Sequence, residues 1–263
     1  MSVFLNSSSF SDLLSSANTI LLKVGTNTLM DSTQVNKKFL TELTYEISLL
    51  QSLGKNVILV TSGAIGLGKR KINFQGEKPF TIKTQQGLAA IGQMHLMEEY
   101  RKRFDSLGVE CAQILLSGRD FADKDCVNNI KNTFDFLFEQ KVIPIVNEND
   151  VVATEELRKN GAFTDNDSLS VLLANQLDAK LVVMFTTNNG LIGKNGEILK
   201  EMTCQEELMQ MEKNSNDGRG GIDSKLNSIF IARNNGLNVF VSGADSINGF
   251  SKGKSIGTFI RAK

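Results

Sequence analysis

Cysteine, proline and histidine are scarce in this chain of 263 residues, which contains three, two and one of them and no tryptophan. The cysteines, Cys111, Cys126 and Cys204, are widely spaced, odd in number and without a C-x-x-C pair. This spacing argues against both a disulfide framework and a zinc site. We therefore expect a protein of the reducing cytoplasm, with no residues dedicated to binding a metal.

Net charge and long apolar runs are also absent. Lysine and arginine together number 29, as do aspartate and glutamate, so no net field attracts the protein to nucleic acid or to an anionic membrane. No apolar run approaches the roughly 18 residues of a membrane span. The first 22 residues contain no Lys or Arg, which argues against a secretory or transit peptide. We expect small molecules and other subunits as partners, with no nucleic acid and no membrane.

Short β-rich runs alternate with longer segments of helical period. The runs are apolar and uninterrupted, as expected where both faces of a parallel sheet are covered: 19–24, 57–60, 109–116, 142–146, 181–185 and 238–241. Apolar stripes of helical spacing lie between them, for example in residues 39–50 and 169–177. The sequence predicts an α/β fold, a three-layer αβα sandwich with a mainly parallel central sheet.

No repeat, low-complexity tract or proline-rich linker divides the chain. We expect residues 1–18, which are rich in serine, to form a partly ordered N-terminal extension. Residues 19–263 are expected to form a single domain. The turn-rich residues 188–196 are expected to form a β-hairpin.

Residues 57–70, VILVTSGAIGLGKR, resemble a phosphate-binding P-loop. Gly63 to Lys69 has the G-x-x-x-x-G-K spacing, but Arg70 stands where the motif requires a Ser or Thr to bind Mg²⁺. A second near match, Gly249 to Ser255, has one residue too few between its glycines. A P-loop is therefore not predicted. Gly63 remains either a turn where backbone N–H groups approach a phosphate, or a strand-to-helix turn that binds nothing.

Four further segments carry groups suited to binding anions or amino acids. Lys23 lies in an apolar strand, where a lysine is costly unless it is paired or bound to an anion, and Gly25 ends that strand. Residues 147–150 (NEND) are crowded at the carboxyl end of a strand, where open α/β sheets bind ligands. Residues 165–167 (DND) precede a helix, and capping explains only one of them. Residues 218–225 (GRGGIDSK) open a helix with glycines and a lysine, which suits an anion.

These segments resemble the amino-acid kinase family in their sequence and order. The motifs are KVGTNTL, TSGAIGLG, PIVNEND, DNDSLS, GRGGIDSK and SIGTFI, distributed over residues 19 to 260. Within the family the chain resembles the glutamate 5-kinases, and the GRGG form is also similar to the kinase part of eukaryotic pyrroline-5-carboxylate synthases. The resemblance implies the amino-acid kinase fold and ATP-dependent phosphorylation of the γ-carboxylate of L-glutamate, the first step toward proline. It also implies Mg²⁺ bound with the ATP.

The resemblance implies three groups of site residues. The catalytic group is Lys23, Lys225, Asp167, Gly25 and Gly63. The substrate-binding group is Ser62, Asp150 and Asn166. The nucleotide-binding group is Lys23, Thr186, Thr187, Arg219, Gly220, Gly221, Ile222, Asp223, Ser224 and Lys225. In these roles the lysines neutralise the transferring phosphoryl group, the glycines present backbone amides to it, and the aspartate holds both lysines.

Two positions depart from the family pattern. Thr187 stands where the family usually has Asp, and Arg219 replaces the Thr of many bacterial members, although the eukaryotic branch has the same Arg. Thr187 motivates one alternative, a non-catalytic amino-acid-binding regulator. The other alternative is a kinase for a different amino acid or derivative, such as aspartate or N-acetylglutamate.

The resemblance also implies partners and organisation. We expect proline as a feedback inhibitor, a homo-oligomer (dimer or tetramer), and hand-over of the product to a glutamyl-phosphate reductase. We expect an N-terminal substrate half, a C-terminal nucleotide half, and no C-terminal RNA-binding-like domain.

Overall fold

The computed structural model describes residues 8–30, 35–76, 80–152, 165–193, 196–202 and 222–263. The strands in these ranges are β1 (Thr19–Val24), β2 (Asn56–Thr61), β3 (Cys111–Leu116), β4 (Ile143–Glu148), β5 (Leu181–Thr186), β6 (Glu201–Met202), β7 (Asn238–Gly243) and β8 (Gly257–Ile260). The α-helices are α1 (Ser8–Ser16), α2 (Thr26–Leu29), α3 (Lys37–Ser52), α4 (Ala64–Lys71), α5 (Ile82–Ser106), α6 (Lys124–Glu139), α7 (Asn166–Gln176) and α8 (Ile222–Asn234).

The strands form one sheet in the order β3-β4-β2-β1-β5-β7-β8-β6. Every neighbouring pair is parallel except β7 with β8. Two apolar clusters lie on its opposite faces, so helices cover both sides. The predicted αβα sandwich is therefore confirmed. Of the predicted hairpin, the structure shows an antiparallel bridge between Ile192 and Ile198.

The alternation of side chains along β1 decides where its lysine points. Leu22 and Val24 belong to one apolar cluster, and Leu21 belongs to the other. Because successive side chains of a strand point to opposite faces, Lys23 shares the face of Leu21, the face on which α7 packs. Val60 and Met184 lie beside Lys23 on the neighbouring strands. Lys23 is therefore 5% exposed and needs a partner from the helix layer.

The glycines of the apparent P-loop have structural explanations. Gly63 has φ 105°, in the left-handed region that favours glycine, at the N-cap of α4. A Cβ on Gly68 would lie 1.9 Å from the carbonyl oxygen of Leu88, and one on Gly92 would lie 1.7 Å from that of Ala64. Helices α4 and α5 therefore touch backbone to backbone at Gly68 and Gly92. The second glycine of the pattern serves this helix contact.

The second near match to a P-loop donates its amides within the protein. The backbone N–H groups of Gly249 and Ser251 donate to the two carboxylate oxygens of Glu46, each at 2.7 Å. Glu46 lies on α3 and is 4% exposed. Since those two N–H groups are satisfied by a buried carboxylate, they are not available to a phosphate.

Part of the expected N-terminal extension packs into the core. The ring of Phe10 on α1 stacks on Phe240 with centroids 4.1 Å apart, and Leu14 and Ala17 are also buried. Helix α1 therefore covers apolar surface of the sheet. Residues 1–7 lie outside the described ranges.

Candidate active site

The candidate site lies at the carboxyl ends of four adjacent strands, β4, β2, β1 and β5. Parallel strands bring their carboxyl ends to one edge of the sheet, where α/β proteins bind ligands. The predicted residues that the structure places around this edge are Lys23, Gly25, Ser62, Gly63, Asp150, Asn166, Asp167, Thr186, Ser224 and Lys225. Segments far apart in the sequence therefore meet at this edge.

A buried ion pair links the end of β1 to the first turn of α7. The Lys23 Nζ lies 2.7 Å from Asp167 Oδ1, and both side chains are almost fully buried. Burial works to raise the pKa of Asp167, but the positive charges of Lys23 and Lys225 outweigh it and lower that pKa. Asp167 therefore stays ionised at neutral pH and holds a positive group at the centre of the site.

Lys225 completes this charged cluster from the first turn of α8. Burial, and then repulsion by the charge of Lys23, lower the pKa of Lys225, while Asp167 and Asp165 act in the opposite direction. Asp165 also accepts hydrogen bonds from the backbone N–H of Ser168 at 2.8 Å and from the Ser224 hydroxyl. The N-terminal turns of α7 and α8 are thereby joined. An anion between the two lysines would relieve their mutual repulsion.

A network of side-chain amides borders the cluster on the β2 and β4 side. The Asn166 Nδ2 donates to Ser62 Oγ and to Asn147 Oδ1, each at 3.0 Å. The backbone N–H of Glu148 donates to Asn166 Oδ1 at 3.1 Å and to Asn147 Oδ1 at 2.9 Å. Two of the three predicted substrate residues, Ser62 and Asn166, are therefore in contact. The third, Asp150, follows β4 two residues beyond Glu148, and its N–H donates to the Glu148 carbonyl at 2.9 Å.

The two predicted glycines lie beside the charged cluster and the amide network. A Cβ added to Gly25 would lie 3.5 Å from Lys23 Nζ, so the glycine backbone faces the ammonium group. Gly25 is also the N-cap of α2. At Gly63 a Cβ would meet Leu29 Cδ2 at 2.7 Å, in addition to the positive φ. A side chain is therefore disfavoured at Gly63 by both backbone conformation and space.

The predicted nucleotide residues are only partly covered by the described ranges. Thr186 ends β5, and its hydroxyl donates to the Asn188 carbonyl at 2.6 Å. Thr187 follows it and is exposed. Ile222 and Asp223 form the start of α8. Arg219, Gly220 and Gly221 lie outside the described ranges.

Two properties of the described residues concern metal binding and membrane insertion. Within the ranges above, no three or more His, Cys, Asp or Glu side chains are grouped so as to hold a metal ion. Over the same ranges, no helix combines the length and the apolar character required to cross a bilayer.

Comparison with known proteins then supplies the family. A sequence profile described as the amino acid kinase family matches residues 18–242. The chain belongs to the amino acid kinase family. The resemblance carried by the six motifs is thereby confirmed.

Family members named glutamate 5-kinase are similar over most of the chain. The protein from Thermotoga maritima is 36% identical over 242 residues, which cover 91% of this chain and 67% of that protein. The protein from Enterococcus faecalis is 40% identical over 223 residues, covering 81% and 82%. The protein from Clostridium perfringens is 34% identical over 257 residues, covering 93% and 95%.

Two solved structures of carbamate kinase support the fold. Giardia carbamate kinase matches with a TM-score of 0.62 and 17% identity, over 94% of this chain and all of that one. The carbamate kinase of Giardia lamblia bound to AMP-PNP matches with the same TM-score and identity, over 95% of this chain. At this identity the likeness concerns the amino acid kinase fold alone.

Sequence reasoning missed some residues that shape this candidate site. Gln93 on α5 accepts a hydrogen bond from Asn147 Nδ2 at 2.8 Å and so joins the amide network. The side-chain bond between Asp165 and Ser224, which links two helix starts, was also not predicted. Neither has a local sequence signal, because each contact joins residues more than 50 positions apart.

Proposed function

We propose that this protein transfers the γ-phosphoryl group of ATP to the γ-carboxylate of L-glutamate, giving γ-glutamyl phosphate and ADP, the first step of proline biosynthesis. The observation that carries the proposal is the buried Lys23–Asp167 pair, with Lys225 beside it, next to an amide network suited to an amino acid. The similarity to proteins named glutamate 5-kinase supports the choice of glutamate. The enzyme is therefore a phosphotransferase with a carboxyl group as acceptor.

The proposed reaction needs alignment and positive charge more than it needs a base. A glutamate side chain has a pKa of about 4.3, so the attacking carboxylate is already ionised at neutral pH. One carboxylate oxygen forms a bond to the γ-phosphorus, and the bond from that phosphorus to the β,γ-bridging oxygen breaks, so that ADP leaves with the electron pair. Lys23 and Lys225 neutralise the charge on the phosphoryl oxygens, while Gly25 and Gly63 present backbone amides.

The amide network is the proposed binding site for glutamate. Ser62 offers its hydroxyl hydrogen to a carboxylate, Asn166 lines the site and holds Ser62 through its Nδ2, and Asp150 offers a negative charge to the α-ammonium group. Asp167 takes no part in binding the amino acid. Its role is to hold both lysines in place beside the phosphoryl group.

The proposed nucleotide-binding site lies mainly in the second half of the chain. It comprises Thr186, Thr187 and residues 219–225, together with Lys23 from the first half. In this proposal residues 19–263 act as one domain with an N-terminal substrate half and a C-terminal nucleotide half. We propose that ATP binds as its Mg²⁺ complex, in which the metal would neutralise part of the phosphate charge.

The proposal extends to location and partners. We propose a cytoplasmic homo-oligomer, a dimer or a tetramer, that is inhibited by proline and hands its reactive acyl phosphate to a reductase. The proposed glutamate-binding site supports proline as an inhibitor, since proline shares the α-amino and α-carboxyl groups of glutamate. Sedimentation and assays with millimolar-scale proline test these two points.

Hydroxylamine trapping tests the reaction and the substrate together. Hydroxylamine converts an acyl phosphate into a hydroxamate, which forms a coloured complex with ferric ion. The protein is incubated with MgATP, hydroxylamine and, in parallel, glutamate, aspartate or N-acetylglutamate. We expect a hydroxamate with glutamate alone. A signal with another acid would reassign the substrate, and no signal from protein that still binds glutamate would favour the regulator suggested by Thr187.

A further inference from the structure

Gln93 lies behind the proposed glutamate-binding site and is connected to it through Asn147. Its side chain projects from α5, and its Oε1 accepts from Asn147 Nδ2 at 2.8 Å. Asn147 is 2% exposed and touches Asn166, which in turn touches Ser62. We infer that Gln93 is a positioning residue for the amino-acid substrate, an inference that rests on the proposed function.

The inference follows from the distinct ends of a side-chain amide. An asparagine has one end that only donates and one that only accepts. Since Gln93 Oε1 takes a hydrogen from Asn147 Nδ2, the Asn147 oxygen must face the other way, toward Asn166 Nδ2 and the backbone N–H of Glu148. Together with the backbone N–H of Glu148, Gln93 thus stabilises one of two orientations of a buried amide.

The selected orientation is passed on to the groups that would meet substrate. Asn147 Oδ1 accepts from Asn166 Nδ2, and the same nitrogen donates to Ser62 Oγ. Because the Ser62 oxygen accepts this bond, its hydroxyl hydrogen points away from Asn166 and is free to donate to a carboxylate. Gln93 therefore influences, through the amides of Asn147 and Asn166, which groups the binding site presents to an amino acid.

The other end of Gln93 argues against a purely stabilising role. Its Nε2 is buried and has no hydrogen-bond partner among the described residues. A buried donor without a partner destabilises a protein, so this glutamine is a poor choice for stability alone. Replacing it with methionine removes that orphan donor while leaving Asn147 Nδ2 without its acceptor. Loss of the unpaired donor should raise stability and loss of the acceptor should lower it. Only the loss of the acceptor affects the glutamate-binding site.

The test is the variant Gln93→Met, assayed for KM and kcat with both substrates and by calorimetry with glutamate alone. We expect the KM and the dissociation constant for glutamate to rise roughly five- to tenfold, as for the loss of one or two neutral hydrogen bonds. The KM for MgATP and the melting temperature should change little. The matched control is Gln51→Met, which removes the bond from Gln51 Nε2 to the Lys141 carbonyl at the amino-terminal side of the sheet and should leave every constant unchanged.

A double-variant cycle separates positioning from a general disturbance. If Gln93 acts through the amides on Ser62, then Gln93→Met should add little to the KM of a Ser62→Ala protein. Should Gln93→Met fail to fold, Gln93→Asn, which withdraws the amide by one methylene, provides the same test. An unchanged glutamate KM, or fully additive effects with Ser62→Ala, would overturn the inference alone. Failure of the wild-type protein to phosphorylate glutamate would overturn the proposed function, and this inference with it.

Discussion

Exchanging Asp167 for Asn is expected to lower kcat by about 10²- to 10³-fold, comparable to removing one group that stabilises the transition state. The neutral side chain no longer holds Lys23, whose Nζ lies 2.7 Å from it in an almost fully buried pair. Both lysines then repel each other with no carboxylate between them. The same exchange should lower the free energy of unfolding by about 3–5 kcal/mol, because it leaves a buried charge without its partner.

The exchange Asp178→Asn is the matched control for Asp167→Asn. Asp178 is exposed just beyond the other end of α7 and has φ 50°, a conformation that Asn adopts as readily as Asp. We expect its kcat and unfolding free energy to equal those of the wild-type protein. Steady-state kinetics and urea unfolding measure both quantities. If Asp167→Asn retained wild-type kcat, Asp167 would have no part in positioning the lysines.

Exchanging Gly92 for Ala is expected to destabilise the fold by about 3 kcal/mol or more, at the upper end of overpacking effects. The added Cβ would lie 1.7 Å from the Ala64 carbonyl oxygen and 2.5 Å from the backbone nitrogen of Gly68. Backbone atoms cannot swing aside as a flexible side chain can, so α4 and α5 must separate. For a domain of this size the melting temperature should fall by roughly 6–12 °C.

Gly87 on the same helix gives the opposite expectation. A Cβ at Gly87 meets nothing within 4 Å, so Gly87→Ala should raise stability by about 0.5–1 kcal/mol through helix propensity. Thermal unfolding of both variants checks the pair. Equal melting temperatures for Gly92→Ala and Gly87→Ala would show that the backbone contact between α4 and α5 does not constrain residue 92.

The buried ion pair shows how far sequence reasoning reaches. An in-strand lysine had to find a partner, and three polar residues at a helix start were too many for a cap, so Lys23 and residues 165–167 were both recognisable as functional. The identity of the partner followed only from family resemblance. Physical reasoning alone cannot supply it, because the partner depends on which strands lie beside β1 and on which face α7 packs.

Gln93 and Gly92 show why other features stayed out of reach. Both lie in the 25-residue helix α5, where the sequence shows only helical spacing of apolar residues. Their importance comes from contacts with Asn147 and Ala64, which are distant in sequence. A glycine required by helix packing and one required by a phosphate look alike in sequence, which is why the G-x-x-x-x-G-K pattern at 63–69 was ambiguous.

The measurement that tests the central claim most directly is phosphoryl transfer by the double variant Lys23→Ala/Lys225→Ala, with Lys69→Ala as control. Lys69 is the apparent P-loop lysine, and its ammonium group lies 5.5 Å from the centre of the Phe80 ring. With saturating MgATP and glutamate, we expect the double variant to lose at least about 10³-fold in kcat. Calorimetry should show that it still binds glutamate, and Lys69→Ala should retain wild-type activity. Unchanged phosphoryl transfer by a folded double variant would contradict the account.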